Sequence, residues 1–340
     1  MRRAPDFWER EPGLLAGLLL PFGAAWDAGG RLRRALARPY CAPAPVVCIG
    51  NLVAGGAGKT PVAMALASWF AAEDIRAHVV TRGYSGRVAG TVKVDPEHHA
   101  ASEVGDEALL LARSAPCWVS RDRAAGAAAA VAAGAQTVLL DDGFQNPTIG
   151  KTLSLIVVDA AYGFGNRRVL PAGPLRENLR RGLARADAVV QLATNTEPPS
   201  PAVAALNGGR PVIPATLMPV RGERFAGRRI FAFAGIGRPQ KFFATLRELG
   251  AELIGERRFP DHYPFSRRDV AALHRAAERE RAQLVTTAKD FVRLSGGARA
   301  GIEVLEVEIR WPDPAALAGL LAPVVLSAGG HGPDLERRSG

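Results

Sequence analysis

The stretch that most narrows what this chain can become lies between Val46 and Ala72. Val46-Val47-Cys48-Ile49 reads as a short buried strand closed by Gly50, and a helical pattern runs from Pro61 to Ala72. Between them stands Val53-Ala54-Gly55-Gly56-Ala57-Gly58-Lys59-Thr60. A strand, a glycine-rich turn and a helix in that order make a phosphate-binding loop. Glycines let backbone N–H groups converge on phosphate oxygens, and the helix N-terminus adds its positive dipole end. Lys59 is placed to reach the β- and γ-phosphates, and Thr60 can ligate Mg²⁺. The usual pattern opens with Gly where this chain has Val53, so Gly55 and Gly56 must supply the flexibility. A nucleotide site spanning Val53, Ala54, Gly55, Gly56, Ala57, Gly58, Lys59 and Thr60 is expected.

The alternation continues beyond this unit. Arg76–Thr81, Ala115–Val119, Thr137–Leu140, Leu153–Asp159 and Ala188–Leu192 read as strands, with helices over Glu107–Arg113 and the Ala-rich Arg123–Ala135. This spacing predicts an α/β fold, a mostly parallel P-loop NTPase-type sheet flanked by helices. A segment rich in Pro, Asn and Gly at 194–214 precedes a second alternation that starts at Arg229. The expected organisation is an N-terminal region over 1–40, a phosphate-loop core over 41–225, a smaller C-terminal α/β domain over 226–326 and a flexible tail over 327–340.

The N-terminal region has its own character. Arg2, Arg3 and Arg10 mixed with Asp6, Glu9 and Glu11 make a poor secretory signal. The uncharged run Pro12–Trp26 is interrupted by Pro21 and falls short of the roughly 20 apolar residues of a spanning helix. Arg31, Arg33, Arg34 and Arg38 follow it. An apolar segment flanked by Arg fits a helix lying in a membrane interface, and equally an ordinary helix docked on the core. The formal charge of +10 arises almost wholly from Arg, which suits phosphate or carboxylate contacts. No basic stretch is interleaved with aromatic residues, so nucleic acid is not an expected partner. Cys41, Cys48 and Cys117 form no CxxC pair and indicate neither a disulfide framework nor a zinc site.

A second acidic signal is Asp141-Asp142 at the end of the strand Thr137–Leu140. In a chain with a phosphate loop, carboxylates there can hold Mg²⁺ directly or through water. Phe259-Pro260-Asp261-His262-Tyr263-Pro264 sets a histidine beside an aspartate and between prolines, rigid enough for proton work.

Taken together, the chain resembles the tetraacyldisaccharide 4′-kinase family of the lipid A pathway. The resemblance is carried by GNLVAGGAGKTP at 50–61, TRGYSGR at 81–87, VGDEALLLA at 104–112, SRDR at 120–123 and LDDGFQ at 140–145. It continues in PAGPLRE at 171–177, FAGIGRPQKF at 233–242, FPDHYPF at 259–265 and TTAKD at 286–290. The family usually has His after the Gln of LDDGFQ, and here that residue is Asn146. The resemblance implies transfer of the ATP γ-phosphate to the 4′-hydroxyl of a lipid-linked disaccharide 1-phosphate at the cytoplasmic face of the inner membrane, with the N-terminal segment as a monotopic anchor at the membrane surface. It implies Asp106 as the base, assisted by His262. Asp141 and Asp142 would organise Mg²⁺, with Glu177 a candidate ligand, and Arg82, Tyr84, Arg121 and Arg176 would contact phosphate or sugar. Oligomeric state is left open. Two other classes share the loop, membrane-recruited switch ATPases and soluble small-molecule kinases. Switches typically carry Lys where this chain has Ala54 and would not explain PAGPLRE or FPDHYPF, whereas a soluble kinase would need no N-terminal apolar segment.

Overall fold

The computed structural model describes residues 5–194 and 201–329. Arg2, Arg3, part of the 194–214 loop and most of the expected tail lie outside the described residues. The strands in chain order are β1 (Val46–Gly50), β2 (Ala77–Thr81), β3 (Thr91–Lys93), β4 (Cys117–Ser120), β5 (Thr137–Asp141), β6 (Leu153–Asp159) and β7 (Ala188–Thr194). They continue with β8 (Val212–Pro219), β9 (Arg229–Ala234), β10 (Glu252–Arg258), β11 (Gln283–Thr287), β12 (Ile302–Leu305) and β13 (Val307–Arg310).

A nine-stranded sheet has the order β13-β8-β7-β6-β1-β5-β2-β4-β3 and a four-stranded sheet the order β10-β9-β11-β12. The large sheet is parallel except at its rims, where β3 and β13 pair antiparallel with β4 and β8. β1 lies between β5 and β6, so the loop that follows it opens at the centre of the sheet. Alternate residues of β1 feed two cores. Val47 and Ile49 pack on one face with Val62, Leu66 and Phe70, while Val46 and Cys48 pack on the other with Val138, Leu140 and Phe144. A strand covered on both faces must be apolar throughout, which is why Val46–Gly50 shows no polar alternation.

The strands after residue 226 do not all stay in the second sheet. β13 crosses back to β8, and helix Pro314–Gly329 sets Leu317, Leu321, Val324 and Ala328 against the first core. Residues 229–305 therefore hold the four-stranded sheet, and the rest of the expected 226–326 unit returns to the large one. Residues 327–329, expected in a loose tail, end that helix.

The N-terminal run also differs from its expected form. Helix Leu14–Leu18 is followed by helix Leu20–Leu36, with Pro21 in the first turn of the second. A proline there starts a helix rather than breaking it, because its missing N–H would have had no intrahelical acceptor. Among the described residues no helix is long and apolar enough to cross a membrane.

Candidate active site

Gly58 ends the loop in the left-handed region, φ 81°, as cap of helix Lys59–Ala72. A Cβ at Gly58 would stand 2.1 Å from Leu192 Cδ2, so the turn needs glycine both for its backbone and for its space. The turn is braced by Asn51, which donates to the Gly55 carbonyl at 3.3 Å. Val53 and Ala54 sit apart from the rest of the expected cradle. Val53 is buried and bridges to Leu175, and the Ala54 N–H is already given to the Pro174 carbonyl at 2.7 Å. From Gly56 to Thr60 the loop lines a cavity of about 830 Å³, which Asp159, Leu192, Arg238, Lys241, Asp261 and Lys289 also border.

The two aspartates at the end of β5 have opposite environments. Asp141 is buried and accepts from Thr81 Oγ1 at 3.0 Å through Oδ2, while its Oδ1 has no hydrogen-bond partner. Burial drives its carboxyl up to about 7, with repulsion from Glu107 and Asp142 adding to the rise. Asp142 is also subject to burial, but Lys59 and Arg176 outweigh it and hold the carboxyl below its ordinary value. Arg176 donates to Asp142 Oδ1 at 2.7 Å, and Lys59 Nζ lies 3.6 Å from the same oxygen. A buried carboxylate oxygen without a donor, next to the hydroxyl-bearing start of the phosphate-loop helix, fits a hard divalent cation. Among the described residues no group of three or more acidic, His or Cys side chains forms a metal cage, so an ion here would draw further ligands from phosphate and water.

Asp106 opens helix Asp106–Leu111 and is 2% exposed. Its Oδ1 accepts from the Glu107 N–H at 2.9 Å. Its Oδ2 lies 2.9 Å from His262 Nδ1 and 3.0 Å from Arg293 Nε. Burial alone would raise this carboxyl, yet His262, Lys289 and Arg293 together lower it. Lys289 donates to Glu107 at 3.0 Å and lies 3.4 Å from His262 Nε2. Glu107 and Asp106 overcome burial to raise the Lys289 pKa, so the amine stays charged. The carboxylate of Asp106 at Nδ1 holds a proton on that ring nitrogen and so fixes the orientation of the ring. Tyr84 stacks nearby, its ring 5.1 Å from that of His262. Asp142 and His262 both adopt left-handed backbone, φ 48° and 58°.

A family model for tetraacyldisaccharide-1-P 4′-kinase matches residues 15–325. The chain belongs to this family. It is 50% identical over 337 residues to the tetraacyldisaccharide 4′-kinase of Rhodospirillum centenum, covering 97% of this chain and 99% of that one. To the tetraacyldisaccharide 4′-kinase of Paramagnetospirillum magneticum it is 49% identical, covering 94% and 97%. A crystal structure of the "apo" form of LpxK from Aquifex aeolicus in complex with ATP superposes with a TM-score of 0.72 at 26% identity, covering 92% of this chain and 100% of that one. The chain is a kinase.

The tetraacyldisaccharide 4′-kinase fold brings together Lys59, Asp142 and Arg176 in one group and Asp106, His262 and Tyr84 in another. Arg82 and Arg121 are exposed. Glu177, expected as a candidate metal ligand, lies in a cluster of donors. Its Oε1 accepts from Gln145 Nε2 at 3.1 Å, and its Oε2 faces Arg185 at 2.5 Å and Arg34 at 3.5 Å. Both oxygens are thus engaged by protein donors in this structure. Asn146, which replaces the family's usual His, turns inward on its own loop and accepts from Thr148 N–H and Oγ1. The sequence reading gave no role to Glu107, Lys289, Arg293 or Arg123. Glu107 and Lys289 lie inside motifs already noted, VGDEALLLA and TTAKD. Arg123 closes SRDR, is buried, and donates to the carbonyls of Ser120 at 2.7 Å and Asp141 at 3.5 Å, bracing the end of β5 from behind. Nothing local distinguishes Arg293.

Proposed function

We propose that this kinase transfers the γ-phosphoryl group of ATP to the 4′-hydroxyl of a tetraacyldisaccharide 1-phosphate at the cytoplasmic face of the inner membrane. The observation that carries the reading is that the neighbours of the Asp106–His262 pair, Glu107, Asp261 and Lys289, line the same cavity as Gly56–Thr60. A phosphate cradle and the immediate neighbours of the proposed proton-accepting pair thus line one cleft.

Phosphoryl transfer asks mainly for positioning and charge neutralisation. Lys59, which pairs with Asp142 in this structure, would turn to the β- and γ-phosphates when nucleotide enters. Mg²⁺, when bound, would neutralise phosphate charge, with Thr60, Asp141 and Asp142 the residues placed to hold it. The acceptor hydroxyl gives its proton to the Asp106–His262 pair. Asp106 is the base that takes this proton, and His262, 2.9 Å from its Oδ2, assists by orienting the carboxylate. Arg176, Arg82, Arg121 and Tyr84 remain candidates for phosphate and sugar contacts. Asp106 comes from the large sheet's helices and His262 from the loop after β10, so the pair depends on the two sheet units being packed together as they are here.

Membrane association is supported by the N-terminal helices. Leu14, Leu18, Phe22, Trp26, Leu32 and Leu36 are each more than half exposed, an apolar face that none of the described residues covers. Arg31, Arg33 and Arg34 lie along the second helix, near enough for contact with anionic headgroups.

The test is transfer of labelled γ-phosphate from Mg·ATP to a tetraacyldisaccharide 1-phosphate in mixed micelles, with Lys59→Ala beside it. Labelled lipid that vanishes in the variant is expected. ATP hydrolysis without labelled lipid would instead favour a switch ATPase.

A further inference from the structure

Helix Leu20–Leu36 meets the rest of the protein through few side chains. Of its 17 residues Gly23 and Asp27 alone are buried, and one of the two is a charge. Gly23 allows close approach, since a Cβ there would stand 3.0 Å from the Val169 carbonyl. Asp27 is 7% exposed. Its Oδ1 accepts from the Asn178 N–H at 2.9 Å, and its Oδ2 accepts from Arg181. Beside it Trp26 Nε1 donates to the Arg176 carbonyl at 3.0 Å, and Arg34 reaches Glu177 at 3.5 Å. The helix thus grips residues 176, 177, 178 and 181.

The other side of the same segment faces the phosphate loop. The Arg176 N–H donates to the Leu52 carbonyl at 2.7 Å. The Arg176 guanidinium donates to Asp142 at 2.7 Å and to Gln145 at 3.3 Å, and Gln145 donates in turn to Glu177 and to the Asn51 carbonyl. Desolvating a carboxylate to dock a helix is costly where an alanine or leucine would suffice, and such a group is best justified by the geometry it fixes.

We propose that Asp27 is a positioning residue: by holding the backbone of Asn178 and the side chain of Arg181 it sets the reach of Arg176 to Asp142, so that the seating of the N-terminal helix governs the Asp142 carboxylate at the end of β5. The inference rests on the reading of Arg176 and Asp142 as parts of the phosphoryl-transfer site.

The test is a double-mutant cycle on the full chain, measuring kcat, KM for the lipid and partition to anionic vesicles for Asp27→Ala, Arg176→Ala and the pair. Asp27→Ala is expected to lower kcat about tenfold, because small displacements of a positioned group are expensive in rate, while KM and vesicle partition stay within about twofold. With Arg176→Ala already present, the same change should have less than about a twofold effect, as expected for residues acting through one another. Asp27→Asn keeps an acceptor for Asn178 and should recover most of kcat. Full additivity, or a loss confined to KM or partition, overturns the role of Asp27 while leaving the site reading intact. Wild-type kcat in Arg176→Ala overturns the site reading and the inference with it. Should Asp27→Ala not fold, Arg181→Gln removes the other end of the contact from a half-exposed side chain and carries the same cycle.

Discussion

His262 Nδ1 and Asp106 Oδ2 are 2.9 Å apart although 156 residues separate them in the chain, and Arg293 approaches the same oxygen at 3.0 Å. The carboxylate is thereby oriented by donors from the second sheet unit, and its proton chemistry depends on how the two units meet.

Replacing either member of that pair should slow chemistry more than binding. Asp106→Ala is expected to lower kcat by about 10²–10⁴, with KM for ATP little changed. His262→Ala should lower it less, and the double variant should fall no further than Asp106→Ala. Steady-state kinetics in mixed micelles decide this. An unchanged kcat with a raised KM would make Asp106 a binding residue.

The same environment makes Asp106 a source of pH-dependent stability. Its folded pKa lies below the ordinary value of 3.8, so the stabilisation is present above that value and is lost as pH falls through the folded pKa. The Tm difference between the wild type and Asp106→Asn should therefore be constant from about pH 5 to 8 and shrink below about pH 4. Thermal melts across that range check it, and a difference that grows in acid would contradict the ion-pair account.

Glu177 should behave as a structural hub. It is buried against Arg34 and Arg185, both of which keep partial solvent contact, so Glu177→Ala is expected to destabilise by about 2 kcal/mol, less than a fully buried pair. The Mg²⁺ concentration giving half-maximal rate should not move. A shift of tenfold or so there, about 1.4 kcal/mol, would restore it as a metal ligand.

Leu14 and Leu18 are 88% and 70% exposed, so replacing them should leave the fold untouched. Leu14→Ser with Leu18→Ser is expected to weaken partition to vesicles by at least roughly tenfold, from the apolar transfer energy of about 1.5–3 kcal/mol for each leucine. Flotation with unchanged partition would remove these helices as the anchor.

Gly50 ends β1 against the turn after β5, where an added Cβ would lie 2.4 Å from Phe144 Cβ and 3.3 Å from its backbone nitrogen. Gly50→Ala should destabilise by about 1–3 kcal/mol and lower nucleotide affinity, because the strand end that launches the phosphate loop must shift. Melting and nucleotide titration of the variant test both parts.

The sequence by itself determined the local elements and the residues whose chemistry is set by their own neighbours. A buried apolar strand, a glycine turn, Lys59 and Thr60 in consecutive positions specify a phosphate loop wherever the chain goes, because backbone sterics and the helix terminus act over a few residues. Paired Asp141 and Asp142 were legible for the same reason. What each does was not, since their environments are opposite: Asp142 is paired with Lys59 and Arg176, and Asp141 is buried with an unpartnered oxygen. The resemblance supplied Asp106 and the Pro-flanked loop singled out His262, but only the packing of two sheets puts Arg293 on Asp106 and Lys289 on His262. The donors around Glu177 and the helix start at Pro21 were not legible for one physical reason. A carboxylate's role and a proline's effect are set by the donors and the helical register around them, and those come from chain segments far away or from where a helix happens to begin. β13 crosses back to the large sheet because strand pairing is decided by exposed edges, which no run of four residues encodes.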